Sequence, residues 1–490
     1  MTYSMQLNEL LSELVVIESN VDDISDIVIT ELVLDSRKVT TGSLFFAYPG
    51  VAYDGRDFID AAQAAGASAI LYEEGIDLPE AITIPAFAIG NLQVKVGEVA
   101  HHFYQQPSTE LQVFGVTGTN GKTTCCYLLT QALEMMGMQA AMIGTIGIGQ
   151  LASLDSASHT TPDPVELHRL LAQFRDAGMT QVCMEVSSHA LDQGRVNGVQ
   201  FFCTLFTNLS HDHLDYHGDM ESYANAKRRL FTNFHSELVI ANAADPVGAG
   251  LTDIANADFI VTYGVGGDVF ADDIELSASG IEFVIEGNGV EIELSTPLIG
   301  KVNIQNLELL IATLLALSTS IEDISSIVSQ LKPAPGRMEL IQSENRASVV
   351  IDYAHTPDAL EKALLSVKEH CSGQLWCVFG CGGDRDQAKR PLMGIMADKY
   401  ADRVIVTNDN PRSEVPSDIA DQITAGINGE FDVVLDRAHA IATGIERAAQ
   451  NDWLLIAGKG HETTQTIGES VLPFSDRQQV LSVFEGAIYD

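Results

Sequence analysis

Basic residues are scarce: Lys and Arg number 27 against 67 Asp and Glu in 490 residues, a formal charge of −40. A field of that sign repels nucleic acid and anionic lipid, which excludes a general polyanion binder. Cysteine is sparse as well. The 7 cysteines are odd in number, scattered and without a Cys-x-x-Cys pair, so they form neither a disulfide framework nor a zinc site. They read as buried thiols of a reducing compartment, with adjacent Cys125 and Cys126 packing one helix. No apolar run reaches the roughly 18 residues of a membrane span. The first basic residue is Arg37, so the N-terminus lacks the positive region of a secretory signal. The expectation is a soluble, cytoplasmic chain. Internal repeats and low-complexity tracts are missing too.

Apolar residues make up 46% and charged residues 19%, enough to fill several cores and too little charge for a disordered polymer. At about 100–200 residues per domain, the length corresponds to three domains. The first, residues 1–107, alternates apolar runs with turn signals: a strand over Ser43 to Tyr48 before Pro49-Gly50, then a helix over Phe58 to Ala65. This is a small α/β module. Gln105-Gln106-Pro107-Ser108 breaks the pattern. The second, 108–332, opens with a buried strand over Leu111 to Val116, a glycine-rich turn and an apolar-periodic helix over Thr123 to Met136. Strands over Gln181 to Val186 and Phe201 to Asn208 follow, and an acidic stretch from Gly264 to Gly289 alternates like antiparallel strands. The domain closes near Leu331, and Lys332-Pro333-Ala334-Pro335-Gly336 predicts a stiff polar linker. In the third, 333–490, strands (Val349 to Ala354, Leu375 to Phe379, Arg403 to Thr407, Phe431 to Leu435, Trp453 to Ala457) alternate with helices (Asp358 to His370, Leu392 to Tyr400, Ala438 to Ala449). That is the pattern of a doubly wound, Rossmann-like α/β domain.

The sharpest chemical signal is Gly115-Val-Thr-Gly-Thr-Asn-Gly-Lys-Thr-Thr124, between a predicted strand and a predicted helix. Gly115, Gly118 and Gly121 let backbone N–H groups, with those of Thr119 and Asn120, converge on phosphate oxygens. The helix N-terminus at Thr123 and Thr124 adds partial positive charge. Lys122 reaches the terminal phosphates and the Thr123 hydroxyl can ligate Mg²⁺. A bare strand-to-helix turn would not explain Gly-Lys-Thr. Glu185, in Met184-Glu185-Val186-Ser187-Ser188-His189, ends a strand-like run where a charge has no packing purpose, which suits a metal ligand. An exposed strand-end carboxylate is the alternative. Ser210-His-Asp-His-Leu-Asp-Tyr-His217 then leads to Ala226-Lys227-Arg228-Arg229-Leu230-Phe231. A cysteine-free cluster beside a phosphate loop fits Mg²⁺ better than zinc.

The loop, Glu185 before Ser187-Ser188-His189, and Asp212-His213-Leu214-Asp215-Tyr216-His217 leading to Lys227 together resemble the Mur ligases. So do Gly336-Arg337-Met338-Glu339, Asp352-Tyr-Ala-His-Thr-Pro357, Gly382-Gly-Asp-Arg-Asp386, Asp409-Asn-Pro-Arg412 and Gly458-Lys-Gly-His-Glu462. The resemblance spans almost the whole chain. It implies an ATP-dependent amide ligase of cytoplasmic peptidoglycan precursor synthesis, a monomer with an N-terminal UDP-binding domain, a central ATP-binding domain and a C-terminal amino-acid-binding domain. Asp-Asn-Pro-Arg points to the branch that joins meso-diaminopimelate to UDP-N-acetylmuramoyl-L-alanyl-D-glutamate. The resemblance makes Lys227 a carbamate-bearing lysine; on sequence alone it reads as a solvated helix lysine. His213 and Glu185 become the other metal ligands, and Asn303, Arg337, Asp352 and His355 join the ATP site.

The same resemblance places Leu34 and Ser36 near the UDP, and His159, Thr160, Thr161, Ser187, Gln193 and Arg195 around the muramoyl peptide. Two departures stand out. Val51-Ala52-Tyr53 precedes Asp54-Gly55-Arg56 where relatives often carry a polar pair, and His159 stands where an Asn is frequent. For the amino acid, Arg385, Asp409, Asn410, Pro411, Arg412, Gly458 and Glu462 match the diaminopimelate set. Arg412 suits a distal carboxylate, and Glu462 or Asp409 suits the ammonium. Read without the family, Asp-Asn-Pro-Arg is equally an Asx-Pro turn. The rival readings are a lysine-adding ligase, a folylpolyglutamate synthase and a phosphate-loop nucleotide switch. The last lacks an Asn-Lys-x-Asp guanine signature and leaves the third domain unexplained.

Overall fold

The computed structural model describes residues 3–12, 14–21, 24–50, 53–78, 81–287 and 289–486. The chain divides into two compact units, Met1–Thr262 and Tyr263–Asp490. The first unit begins with a five-stranded sheet of β1 (Val16–Ser19), β2 (Glu31–Val33), β3 (Ser43–Ala47), β4 (Ala69–Glu73) and β5 (Ala86–Ile89), in the order β1-β5-β4-β3-β2. Only β1 runs antiparallel to its neighbour. Helices α1 (Ile59–Ala64) and α2 (Leu92–Phe103) bury apolar faces beside it.

An eight-stranded sheet follows, from β6 (Gln112–Thr117), β7 (Ala140–Gly144), β8 (Gly147–Gln150), β9 (Ser153–Asp155), β10 (Gln181–Glu185), β11 (Phe201–Phe206), β12 (Ser236–Asn242) and β13 (Ala257–Tyr263). Its order is β9-β8-β7-β10-β6-β11-β12-β13. The central strands β7, β10, β6, β11 and β12 are parallel, and their near-continuous burial is what a sheet covered on both faces requires. Helices α3 (Lys122–Met135), α4 (Pro164–Asp176), α5 (Ser188–Asp192), α6 (Leu214–His217) and α7 (Met220–Thr232) connect them. Pro164 at the first turn and the Asp163 side chain, which accepts from Glu166 N–H, start α4. Val165 and Ala172 of α4 share a core with α2, and Gly97 of α2 lies so close that a Cβ would stand 2.2 Å from the Asn197 carbonyl. Cys125 and Cys126 are buried in α3, and burial pushes both thiols up, in keeping with a packing role.

In the second unit, β14 (Phe270–Ser277), β15 (Gly280–Gly287) and β16 (Val290–Thr296) form an antiparallel sheet, so the acidic stretch does alternate as strands and continues seven residues past Gly289. Helices α8 (Val302–Ala316) and α9 (Ile321–Gln330) follow. The six-stranded sheet comprises β17 (Glu339–Ile341), β18 (Ser348–Asp352), β19 (Leu375–Phe379), β20 (Arg403–Val406), β21 (Phe431–Val433) and β22 (Trp453–Ala457). Its order β17-β18-β22-β19-β20-β21 is parallel except at β17, with helices α10 (Pro357–Lys368), α11 (Lys389–Tyr400), α12 (Pro416–Thr424) and α13 (Arg437–Arg447) in the crossovers. The hairpin β23 (Thr464–Ile467) and β24 (Ser470–Pro473) precedes α14 (Asp476–Phe484).

The fold revises the expectation of an exposed polar linker at residues 332–336. Leu331 and Ala334 are fully buried, and a Cβ on Gly336 would stand 2.1 Å from the His461 N. Leu331 before the prolines and Ala334 between them hold the segment down onto the unit. Two fully buried arginines hold the C-terminal sheet's loops: Arg437 grips Asp476 at 2.7 and 2.8 Å, and Arg390 grips Glu414 at 2.8 and 2.9 Å. For the Arg437–Asp476 pair, buried on both sides, removing one partner costs about 3–5 kcal/mol, because the survivor stays buried and uncompensated.

Candidate active site

Strand β6 ends at Thr117 and α3 starts at Lys122, so residues 118–121 make the whole turn. Gly118 has φ +146, and a Cβ there would fall 1.8 Å from Thr207 Oγ1. Only glycine fits. The segment after β11 pins the loop: Thr119 N–H donates to the Asn208 carbonyl at 2.7 Å, Asn120 N–H to Asn208 Oδ1 at 3.0 Å, and Thr207 Oγ1 to the Asn120 carbonyl at 2.6 Å. Gly115 lies within the buried strand, and Thr124 is half-buried in the first turn of α3. Lys122 folds back, its Nζ donating to the Gly118 and Thr119 carbonyls at 2.9 and 2.8 Å.

Glu185, 1% exposed at the end of β10, accepts from Thr123 Oγ1 at 2.9 Å and from Thr145 N–H at 2.7 Å. Lys227 of α7 is equally buried; its Nζ donates to the Gly118 carbonyl at 2.7 Å and sits 4.5 Å from the Tyr223 ring centroid. Burial, with the Lys122 charge adding, pushes this amine well below the usual lysine range, while Asp212 opposes. The reading of Lys227 as a solvated lysine is therefore wrong: α7 turns it inward. His213 opens α6 in the left-handed region at φ 53, with its ring 6.0 Å from that of Tyr223 and 5.0 Å from that of His189. Burial lowers its pKa.

Among the described residues no three His, Cys, Asp or Glu side chains gather closely enough to hold a metal ion. The predicted metal set stands as two pairs: Thr123 and Glu185 in direct contact, Lys227 and His213 both against Tyr223.

Five of the predicted peptide-site residues form one connected cluster attached to Glu185. Thr160 Oγ1 lies 3.0 Å from Thr145 Oγ1, Thr161 Oγ1 donates to the Glu185 carbonyl at 2.8 Å, and Ser187 N–H donates to Thr161 Oγ1 at 3.1 Å. Arg195 donates to the Thr161 carbonyl at 3.0 Å and, through Nε and Nη2, to Gln193 Oε1 at 3.0 and 2.7 Å. His159 is exposed with Nδ1 3.1 Å from Ser158 Oγ. Leu34 packs on the core of the first sheet, and Ser36 opens a short turn that Asp35 caps. Val51 and Ala52 of the departing segment lie outside the described residues; Tyr53 is exposed.

The second unit holds the remaining candidates. Asn303 is buried, donating to the Ile299 carbonyl at 2.8 Å. The Arg337 guanidinium lies 4.5 Å over the Tyr353 ring, and its Nε is buried without a hydrogen-bond partner. Asp352 accepts from Met338 N–H at 2.8 Å and Ala354 N–H at 2.9 Å; burial pushes its pKa up against the pull of Arg337. His355 Nδ1 is 2.8 Å from the Tyr353 carbonyl. At the carboxyl ends of β19, β20 and β22, three loops meet. Asn410 is the junction: its Nδ2 donates to Glu462 Oε2 at 2.9 Å, and its Oδ1 accepts from Lys459 Nζ at 3.2 Å and Thr466 N–H at 2.9 Å. Arg412, at φ 50, donates to the Gly383 carbonyl at 2.7 Å. Asp409 faces Gly458, where a Cβ would stand 2.8 Å from its Oδ2, and a Cβ on Gly383 would stand 1.9 Å from the Pro411 carbonyl oxygen. Arg385 is exposed on the adjoining loop.

Family models match three stretches: the Mur ligase family catalytic domain over residues 28–106, the Mur ligase middle domain over 116–316, and the Mur ligase glutamate ligase domain over 336–460. A UDP-N-acetylmuramoyl-L-alanyl-D-glutamate--2,6-diaminopimelate ligase from Coxiella burnetii is 46% identical, covering 93% of this chain and 95% of its own. The chain belongs to the Mur ligase family. A ligase of the same name from Haemophilus influenzae is also 46% identical, over 93% of this chain and 96% of its own. A solved structure of that title superposes with a TM-score of 0.73 at 35% identity, over 99% of both chains. As in the family, the Mur ligase described here has a three-domain α/β architecture and is ATP-dependent.

Several residues of this Mur ligase's site escaped the sequence reading. Thr145 orients Glu185 from a separate strand end with no sequence signal, and Tyr353, inside Asp352-Tyr-Ala-His-Thr-Pro357 but given no role there, carries the Arg337 stack. Lys459 did carry a signal. It sits inside Gly458-Lys-Gly-His-Glu462, and its fully buried Nζ donates to Glu462 Oε2 and the Thr464 carbonyl, both at 2.7 Å. Glu462, with Asp409 one of two candidates for the substrate ammonium, thus already holds a cation of the chain.

Proposed function

We propose that this Mur ligase joins meso-diaminopimelate to the side-chain carboxylate of the D-glutamate in UDP-N-acetylmuramoyl-L-alanyl-D-glutamate, with cleavage of ATP, as a cytoplasmic step of peptidoglycan precursor synthesis. The observation that carries it is identity of 46% to ligases of that name across 93% of the chain. The junction of Asp409, Asn410, Arg412, Gly458 and Glu462 at the carboxyl ends of parallel strands supports the amino-acid choice, since open α/β sheets bind ligands there. The proposed domains are 1–107, 108–332 and 333–490, in a monomer.

The γ-phosphoryl group of ATP passes to the D-glutamate carboxylate, giving ADP and an acyl phosphate. The diaminopimelate amine attacks the acyl carbon, and phosphate leaves as the amide forms. Residues 115 and 118–124, with Asn303, Arg337, Asp352 and His355, bind ATP; Lys122 offsets charge on the transferring group. Leu34, Ser36, His159, Thr160, Thr161, Ser187, Gln193 and Arg195 hold the nucleotide substrate, and Arg385, Asp409, Asn410, Pro411, Arg412, Gly458 and Glu462 the amino acid.

Magnesium fits the donor set. The Glu185 carboxylate is buried among neutral donors, the Thr123 hydroxyl and the Thr145 N–H, a setting a hard divalent cation can balance. Thr123, Glu185, His213 and Lys227 as a carbamate would hold it, and when bound it neutralises phosphate charge. The deciding experiment incubates the chain with ATP, Mg²⁺ and UDP-muramoyl dipeptide against a panel of amino acids, with mass detection. Product with meso-diaminopimelate is expected. Product with L-lysine instead would overturn the reading in favour of a lysine-adding ligase, and no product with any amino acid, with glutamate added to a folate in a parallel incubation, would favour a folylpolyglutamate synthase.

A further inference from the structure

One residue outside the assigned set ties two parts of the first unit's site together. The Tyr216 hydroxyl accepts from Gln193 Nε2 at 3.1 Å and donates to Asp192 Oδ2 at 2.9 Å. On one side, Gln193 Oε1 receives both Nε and Nη2 of Arg195, whose Nη1 is spent on the Thr161 carbonyl. On the other, Asp192 Oδ1 accepts from Arg229 Nη1 at 3.0 Å, and Arg229 lies two residues after Lys227 on α7. Every donor and acceptor in this chain has a fixed sense. An arginine begins it and a carboxylate terminates it; between them Gln193 accepts through Oε1 and donates through Nε2, and the Tyr216 hydroxyl accepts and donates through one oxygen.

Tyr216 also belongs to α6, where its N–H donates to the His213 carbonyl at 3.2 Å, and its ring packs 4.2 Å from that of His189. The hydroxyl therefore ties α6 to the turn that carries Gln193 and Arg195, while the hold on His213 is the backbone bond that a phenylalanine keeps.

We propose that Tyr216 is a positioning residue for the nucleotide substrate: through Gln193 it holds the Arg195 guanidinium in the orientation that receives an anionic group of the muramoyl peptide, and through Asp192 it locks that orientation to α7. The inference rests on the functional reading above, which places Arg195 at that substrate. Without the hydroxyl the Gln193 amide is free to rotate, and the arginine loses the acceptor that aims it. The ground-state binding of one substrate suffers, while the phosphate loop, pinned separately by Thr207 and Asn208, does not.

The test is steady-state kinetics of Tyr216→Phe, which removes one oxygen and keeps the ring beside His189. The KM for UDP-muramoyl dipeptide should rise about tenfold, with kcat within about twofold of wild type and the KM values for ATP and diaminopimelate unchanged. Asp192→Ala, which removes the acceptor, should raise the same KM, and the double variant should be no worse than the poorer single variant, since both break one chain. Should Tyr216→Phe fail to fold, Asp192→Ala alone carries the expectation, its side chain being 37% exposed. An unchanged nucleotide KM, or a fall in kcat with all three KM values unmoved, would overturn the inference alone. A wild-type chain that does not turn over UDP-muramoyl dipeptide would overturn the functional reading, and this inference with it.

Discussion

Lys122 and Lys227 donate to one acceptor, the carbonyl oxygen of Gly118, at 2.9 and 2.7 Å. Two ammonium groups on one carbonyl repel, and the buried member yields: Lys227 has its pKa driven well down by burial first and by Lys122 second. The uncharged amine is the form that adds to carbon dioxide, giving a carbamate and releasing a proton. A helix lysine placed here is thus disposed to become an oxygen ligand.

The first prediction follows. Lys227→Arg should be nearly inactive, because arginine keeps a cation and cannot form the carbamate. Wild-type activity should fall in carbon dioxide-depleted buffer and return with bicarbonate, alongside a carbamate carbon resonance in NMR spectra of ¹³C-bicarbonate-treated protein. Full activity of the arginine variant would sink the assignment.

The phosphate loop was legible because its constraint is local: strand, glycine turn and helix are adjacent in sequence, and the bounds Gln112–Thr117 and Lys122–Met135 fall within one residue of expectation. Leu375–Phe379 and Trp453–Ala457 were legible at both ends, since short apolar runs between turn signals fix buried parallel strands. Lys227 could not be oriented from sequence, because whether α7 turns it inward depends on the Gly118 carbonyl 109 residues away. The linker misled for a related reason. Its two prolines and its glycine suggest exposure, yet Ala334 finds a buried place that only the fold supplies.

Lys122→Ala should abolish phosphate release and leave the fold intact. Its Nζ serves two carbonyls of its own loop, but Thr207 and Asn208 hold that loop independently. Ligation and circular dichroism decide it: near-normal ligation by a folded variant would refute the assignment.

Glu308 supplies a pH prediction away from the chemistry. It is 4% exposed, its Oε1 accepts from Ala271 N–H at 2.8 Å, and burial raises its pKa from 4.5 to about 7. The folded state then binds the proton more tightly than the unfolded chain, so stability falls as pH rises from about 4.5 to about 7, by on the order of 3 kcal/mol. Glu308→Gln keeps the acceptor and removes the ionisation. It should raise Tm at pH 7.5 and flatten the Tm profile over that window in scanning calorimetry; an unaltered profile would show that Glu308 does not set it.

Amino-acid selectivity is the last expectation, and it turns on Arg412. Its left-handed backbone and the bond from Nη1 to the Gly383 carbonyl aim the guanidinium from the loop after β20, beside the Asn410 junction. Meso-diaminopimelate differs from L-lysine by a carboxylate at its distal centre, and a guanidinium fork is the side chain suited to that group. Lysine would leave the arginine without its partner, a loss on the order of 3 kcal/mol or more, about a hundredfold in kcat/KM. Arg412→Ala should raise the KM for diaminopimelate strongly and narrow its advantage over lysine. The KM for ATP should stay near wild type, because the phosphate loop belongs to another part of the chain. Glu462 cannot substitute in this discrimination, since Lys459 already engages it at 2.7 Å and both amino acids carry an ammonium. Competition assays with the two amino acids at equal concentration measure the preference directly: equal use by wild type, or a preference untouched in Arg412→Ala, would place selectivity elsewhere.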